Sequence, residues 1–298
     1  MSYRVERYLS LPKIDQDNYL KDKTEQDKRD LFLEILHDGM HGLCFSIYED
    51  GQKPGDIVPI SQVRRRMQII KNHTQWVRSF SCVDGNEHVP VVAKEMGIKT
   101  LVGAWLGNDL DKNEKELEAL IKLAKEGLVD IAAVGNEVMY RKDLSEEELI
   151  AYIRRFKDEV PEVPVGYVDA YYEFSARPKI TAACDVILAN CYPFWESCPF
   201  DSSLSYLKEM FRKAKEAAGG KRVIVSETGW PSQGESLDGA VPSMENSLDY
   251  FVNTQLWAMD ENIECFYFSS FDENWKKSSE GEVGAYWGIW DKDEKLKF

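Results

Sequence analysis

Long apolar runs and a leader-like beginning are missing from this 298-residue chain. No stretch approaches the 18 consecutive apolar residues that indicate a membrane-spanning helix. The first 17 residues are polar and lack the apolar run of a signal peptide. We therefore predict no membrane span, and either a cytoplasmic protein or an exported one whose leader lies outside this sequence.

Basic residues are fewer than acidic ones. The chain has 37 lysines and arginines against 52 aspartates and glutamates, which gives a formal net charge of −15. A surface of this kind repels phosphate backbones and anionic lipid headgroups, which argues against nucleic acid and membrane partners. A neutral substrate is the simplest fit, and we expect the protein to be a monomer.

Motifs for metal, redox and phosphate chemistry are missing as well. The six cysteines form no C-x-x-C pair, so we expect buried thiols, although Cys191 and Cys198 are close enough in sequence for one bridge. No G-x-G-x-x-G or G-x-x-x-x-G-K segment is present. His37 and His41 are four residues apart with no third ligand beside them. We therefore predict no metal and no cofactor.

What the chain does contain is a regular alternation of short apolar runs and helical patterns. The apolar runs are four to six residues long in most cases, which is typical of parallel strands buried on both faces. Eight such units without a break in composition favour a closed (β/α)8 TIM barrel of the α/β class over an open sheet. The predicted strands are residues 42–46, 76–80, 100–105, 131–134, 165–167, 186–190, 223–226 and 265–268.

We predict a single catalytic barrel over residues 41–298, preceded by an extension over residues 1–40. Residues 25–36 of the extension are predicted to form an extra helix across the barrel's N-terminal side. Later helices carry capping signals, Asn113 with Glu116 and Ser145 with Glu148. After the fifth strand only a short helix is expected, over residues 176–183.

Two glutamates follow two of the predicted strands. Glu137 comes after the fourth strand and Glu227 after the seventh. Residues that follow the strands of such a barrel meet at its C-terminal end, where function is located. Two carboxyl groups on either side of a glycosidic bond can hydrolyse it, one as acid/base and the other as nucleophile. Asn136 is placed to hold a sugar hydroxyl, and Trp230 offers a stacking surface.

The segments around these glutamates resemble glycoside hydrolase family 17, the β-1,3-glucanases and β-1,3-glucanosyltransferases of clan A. Val134-Gly-Asn-Glu137 is similar to the acid/base motif of that family, and Val225-Ser-Glu-Thr-Gly-Trp-Pro-Ser232 to its nucleophile signature. Three more segments match in order: Ser46-Ile-Tyr-Glu-Asp-Gly-Gln52, Asn190-Cys-Tyr-Pro-Phe-Trp195 and Phe271-Asp-Glu-Asn-Trp-Lys276. The similarity covers about residues 42–298.

The resemblance implies a retaining mechanism that acts on β-1,3-glucan of the laminarin type. Glu137 would be the proton donor, Glu227 the nucleophile and Asn136 a contact of the sugar 2-hydroxyl. Tyr192 would orient the nucleophile through its phenol. The remaining implied residues would line or support the sugar sites: Tyr48, Trp195, Trp230, Glu273, Trp275 and Lys276.

Three other functions are possible for a barrel of this kind. A barrel aldolase or isomerase needs a strand-end lysine or a phosphate loop, and neither is present. A non-catalytic carbohydrate-binding barrel would be expected to lose one of the two glutamates. A glucanosyltransferase uses the same two glutamates but passes the sugar to another sugar instead of water, so the sequence leaves hydrolysis and transfer open.

Overall fold

The computed structural model describes residues 18–298, which form a closed barrel of eight parallel strands in sequence order. Pairing of Gly42 with Phe266 joins the first strand to the last and closes the barrel. The predicted (β/α)8 fold and all eight strands are confirmed. The strands are β1 Met40–Cys44, β2 Thr74–Arg78, β3 Lys99–Ala104, β4 Ile131–Asn136, β5 Val165–Ala170, β6 Val186–Asn190, β7 Arg222–Thr228 and β8 Cys265–Tyr267.

Helices surround the barrel, and short 3-10 turns occur at Phe200–Ser202, Asn274–Lys276 and Glu282–Ala285. Every residue of β4 and β6 is buried, because these strands face the barrel interior on one side and helices on the other. The helices are α1 Glu25–Asp38, α2 Ile60–Ile70, α3 His88–Glu95, α4 Leu110–Lys125, α5 Val138–Arg141, α6 Glu146–Glu159, α7 Glu173–Ala176, α8 Pro178–Ala183, α9 Ser203–Ala217, α10 Met244–Asp260 and α11 Lys277–Glu280.

The two predicted capping boxes have different outcomes. At α6, the Ser145 hydroxyl accepts the Glu148 N–H and the Glu148 carboxylate accepts the Ser145 N–H, as predicted. At α4, the prediction was wrong, because Asp109 caps the helix one turn earlier. Asn113 is instead buried inside α4 and exchanges two hydrogen bonds of 2.8 Å with the backbone of Gly107.

The segment after β5 contains two short helices instead of one. Helix α7 ends at Ala176, and α8 begins at Pro178. Arg177 between them has φ −128° and ψ 71°, outside the helical region. The break follows from the proline ring, which disfavours helical geometry in the residue that precedes it.

Helix α1 lies beside α10 in the outer ring. The Phe32 and Phe251 rings are 5.1 Å apart, and Lys28 Nζ is 2.5 Å from an Asp249 carboxylate oxygen. The expected position across the barrel's N-terminal side was therefore wrong. Phe32 of α1 also packs against the last residue of the chain, since the Phe32 and Phe298 rings are 5.2 Å apart. The first 17 residues of the predicted extension lie outside the described residues.

The structure also shows the state of the cysteines and the character of the helices. All six cysteines are buried, unbridged thiols, so Cys191 and Cys198 do not form a disulfide. No helix within residues 18–298 combines the length and apolar character needed to cross a membrane.

We predict that Phe32→Ala lowers the free energy of unfolding by about 3–5 kcal/mol, because it leaves a cavity between α1 and α10. Leu33→Ala is the matched control in the same helix, since the Leu33 side chain is exposed, and should change the free energy by less than about 0.5 kcal/mol. Urea unfolding measures both. Equal midpoints for the two variants would mean that α1 does not support the barrel.

Candidate active site

The two glutamates lie together at the C-terminal end of the barrel. Glu137 is the first residue after β4, and Glu227 is the next-to-last residue of β7. The Asn190 amide, at the end of β6, contacts both, with Nδ2 2.9 Å from Glu137 Oε1 and 3.0 Å from Glu227 Oε1. Because both oxygens lie within 3.0 Å of one nitrogen, they are no more than about 6 Å apart.

The backbone at Glu137 has an uncommon conformation. Glu137 has φ +50°, in the left-handed region, and Gly135 has φ +89°. The Glu137 N–H donates to the Val168 carbonyl at 2.7 Å, which ties this turn to β5. A side chain at Gly135 would be strained by its φ and crowded by Val138, so the turn requires glycine at that position.

Glu227 is surrounded by hydrogen-bond donors. Arg78 Nη1 lies 2.6 Å from Glu227 Oε1, and the Tyr192 hydroxyl donates to Oε2 at 2.7 Å. Arg78 also donates from Nη2 to Asn136 Oδ1 at 2.7 Å and is almost completely buried. Arg78 and Tyr192 each hold one oxygen of the Glu227 carboxyl group, so its orientation is fixed.

The surroundings of Glu137 raise the pKa of its carboxyl group. Burial raises its pKa to about 7, with a further contribution from the negative charge of Glu227. The Asn190 amide and Arg141 act in the other direction, and Asp169 adds to the increase. Of the two neighbouring carboxyl groups, Glu137 can therefore carry a proton near neutral pH.

A cavity of about 480 Å³ opens beside the two glutamates and is lined mainly by the loops after β1, β2, β3 and β8. Glu273 holds part of its wall through Ser46, Trp275 Nε1 at 3.0 Å and Lys276 Nζ at 2.7 Å. No cluster of three or more potential metal-binding side chains occurs in the described part of the chain. Of the predicted sugar-site residues, five line this cavity: Tyr48, Asn136, Glu273, Trp275 and Lys276.

The other predicted sugar-site residues differ in position. Tyr192 reaches Glu227 directly, whereas Trp195 is half-buried against the ring of Trp287, 5.4 Å away, and does not line the cavity. The prediction for Trp230 was wrong. Its ring is completely buried, with Phe194 5.2 Å away and Nε1 donating to the Val241 carbonyl. A ring enclosed in the core has no face for a sugar.

Two residues of the site have no role in the sequence prediction. Arg78 is a charged residue within an otherwise strand-like run, and that position was its only signal. Asn190 ends the predicted sixth strand and lies in one of the family-like segments, but nothing in the sequence shows that it contacts both glutamates. These contacts depend on how β2 and β6 meet β4 and β7 around the barrel.

Comparison with known proteins agrees with this geometry. The family model of the BtgE/BtgC glycoside hydrolase domain matches residues 42–288. This chain belongs to that glycoside hydrolase family. The resemblance to family 17 is also borne out by structure, since the fold matches a glycoside hydrolase family 17 β-1,3-glucanosyltransferase from Rhizomucor miehei with a TM-score of 0.77. Sequence identity there is 27%, over 86% of this chain and 95% of that one.

Two curated relatives are glucan 1,3-beta-glucosidases. The one from Candida albicans is 27% identical over 270 residues, which cover 82% of this chain and 87% of that protein. The one from Arthroderma benhamiae is 28% identical over 251 residues, which cover 77% and 80%. The BtgE/BtgC-type chain is accordingly a glycoside hydrolase, and the non-catalytic alternative loses its support.

After burial, the negative charge of Glu227 should be the next largest influence on the pKa of Glu137. We predict that Glu227→Gln lowers the pKa of Glu137 from about 7, because a neutral neighbour no longer opposes ionisation. A ¹³C NMR titration of glutamate-labelled protein measures it, with Glu137→Gln assigning the signal. Glu116→Gln, which removes another buried carboxyl lining the same cavity, is the control. An unchanged or higher pKa in Glu227→Gln would contradict the assigned cause.

Proposed function

We propose that this enzyme hydrolyses β-1,3-glucan with retention of anomeric configuration. Glu227 is the nucleophile and Glu137 the acid/base. The observation that carries the proposal is the shared contact with Asn190, which keeps the nearest oxygens of the two carboxyl groups within about 6 Å. Retaining glycosidases have carboxyl groups about 5–5.5 Å apart, whereas inverting ones need about 6.5–9.5 Å.

In the first step, a Glu227 oxygen attacks the anomeric carbon while Glu137 donates its proton to the departing glycosidic oxygen. The carbon–oxygen bond to the leaving sugar breaks, and a glycosyl ester on Glu227 forms. Arg78 and Tyr192 hold the two Glu227 oxygens, so the carboxylate is oriented before the substrate binds.

In the second step, Glu137 acts as a base. Glu137 has already given its proton to the leaving sugar. The Glu227 ester is neutral, so the negative charge that added to burial in raising the pKa of Glu137 is gone, and Glu137 is more easily kept as a carboxylate. The Glu137 carboxylate takes a proton from water, the water oxygen attacks the anomeric carbon, and Glu227 leaves as a carboxylate. The two displacements together restore the β configuration.

The choice of β-1,3-glucan rests on the relatives and agrees with the site. Two relatives are named as glucan 1,3-beta-glucosidases, and a mutant of the Rhizomucor enzyme forms a complex with laminaritriose. The cavity offers the aromatic rings of Tyr48 and Trp275. A neutral glucan also suits a chain with a net charge of −15.

Transfer to a sugar acceptor is the second candidate function. The structural similarity to a β-1,3-glucanosyltransferase supports it. Chemically the first step is unchanged, and a sugar hydroxyl replaces water in the second. The outcome depends on whether an acceptor binds at the ester faster than water reaches it.

We predict that Glu227→Ala loses turnover, because no glycosyl ester can form, and that azide restores it by attacking from the vacated space. The azide product should be the α-glycosyl azide, whereas the wild-type enzyme should release the β-anomer first. Proton NMR in the first minutes of reaction measures both. Glu235→Ala, at an exposed glutamate after β7, is the control. An initial α-anomer from the wild-type enzyme would contradict retention.

We predict faster cleavage of laminari-oligosaccharides than of cello-oligosaccharides of equal length. Chromatography of the products over time measures the rates and the product lengths together. Products longer than the starting oligomer would identify transfer, and only shorter ones would identify hydrolysis. Faster cleavage of the cello-oligosaccharides would overturn the β-1,3 assignment without affecting the roles of the glutamates.

A further inference from the structure

Two side chains of β5, Tyr167 and Asp169, contact the backbone that immediately follows Glu137. The Tyr167 hydroxyl accepts the Met139 N–H at 2.8 Å and donates its own proton to Asp169 Oδ2. Asp169 Oδ2 also accepts the Tyr140 N–H at 3.3 Å. The first residues of α5 are therefore held by side chains of a neighbouring strand.

These contacts provide hydrogen-bond acceptors for N–H groups at the start of α5, which the Glu137 side chain does not cap. The first N–H groups of a helix have no partner within the helix and are usually satisfied by the side chain of the residue before it. Here that residue is Glu137, in the left-handed conformation, and its side chain does not cap the helix. Because the Glu137 carboxyl lies in the active site, other acceptors must take its place. Tyr167 and Asp169 supply them.

Neither side chain is part of the cavity wall. Both are almost completely buried, and the second Asp169 oxygen accepts the Ala170 N–H at 2.7 Å. The Tyr167 ring also packs against the chain before Glu137, since its Cε2 would lie 3.4 Å from a Cβ atom built on Gly135. Tyr167 therefore bonds to the backbone after Glu137 and lies beside Gly135 before it, outside the cavity.

We propose that Tyr167 and Asp169 are positioning residues that fix the left-handed turn at Glu137 and thereby aim its carboxyl at the glycosidic oxygen. This inference rests on the proposed role of Glu137 as acid/base. Loosening the turn should impair proton donation while leaving nucleophilic attack by Glu227 intact. The defect should therefore depend on the leaving group.

The two residues differ in charge, so their variants should affect the pKa of Glu137 differently. The groups that act on Glu137 are Glu227 from β7, Asp169 from β5, Arg141 from α5 and the Asn190 amide from β6. Tyr167→Phe removes a hydroxyl and keeps the carboxylate of Asp169. Asp169→Asn removes a negative charge that raises the pKa of Glu137, so the alkaline limb of the pH–rate profile should move to lower pH in that variant.

The test compares kcat/KM for a laminari-oligosaccharide with kcat/KM for an activated aryl β-glycoside, whose leaving group needs no proton. Tyr167→Phe should lose roughly tenfold or more on the oligosaccharide, a part of the 10²–10⁴-fold that a positioned acid contributes, and less than about threefold on the aryl substrate. Tyr206→Phe is the matched control, because Tyr206 is equally buried and also donates to a carboxylate, that of Glu196, but lies in α9. Its effect should be equal on both substrates.

Glu137→Gln, measured in parallel, distinguishes the two ways in which the inference can fail. Equal losses on both substrates in Glu137→Gln would overturn the proposed function itself. A strong leaving-group dependence in Glu137→Gln, together with equal losses in Tyr167→Phe, would overturn only the positioning role. If Asp169→Asn does not fold, Tyr167→Phe decides alone, since it removes one oxygen atom and keeps the ring.

Discussion

The active site depends on one buried ion pair, between Arg78 and Glu227. Glu227 is 6% exposed and Arg78 is 1% exposed, so water can do little to stabilise either charge. A buried charge left without its partner typically costs about 3–5 kcal/mol. The pair places compensating charges 2.6 Å apart, and the Glu227 charge adds to burial, the larger cause, in raising the pKa of Glu137. The charges of the two glutamates are thus coupled within one electrostatic arrangement.

The barrel makes this arrangement possible because each component comes from a different strand. Arg78 ends β2, Asn190 ends β6, Glu227 lies near the end of β7, and Glu137 follows β4. In a closed parallel barrel these ends meet at one rim, although the residues are up to 149 positions apart in the sequence. Other elements surround this rim: α1 packs against α10 outside the barrel, and Tyr167 of β5 bonds to the backbone just after Glu137.

Structure that depends on a local signal could be predicted from the sequence. The eight strands follow from continuous apolar runs, and the α6 capping box follows from a four-residue pattern at Ser145. Prediction failed where the same local pattern has two outcomes. A tryptophan after a strand, such as Trp230, can stack on a sugar or fill the core. An asparagine such as Asn113 can cap a helix or, as here, lie within the helix and bond to the preceding loop at Gly107. Packing against residues distant in sequence decides the case of Trp230, whereas at Asn113 the capping by Asp109 and the bonds to Gly107 decide it.

The sequence by itself determined the barrel, the positions of its eight strands to within a few residues and the two glutamates, because hydrophobic period and strand order act along the chain. Only the tertiary structure decided which side chains surround those glutamates. Asn190 bridges them, Arg78 pairs with Glu227, and Tyr167 and Asp169 bond to the backbone that follows Glu137. Such contacts join positions distant in sequence, so no local pattern encodes them, and they exist only once the barrel has closed.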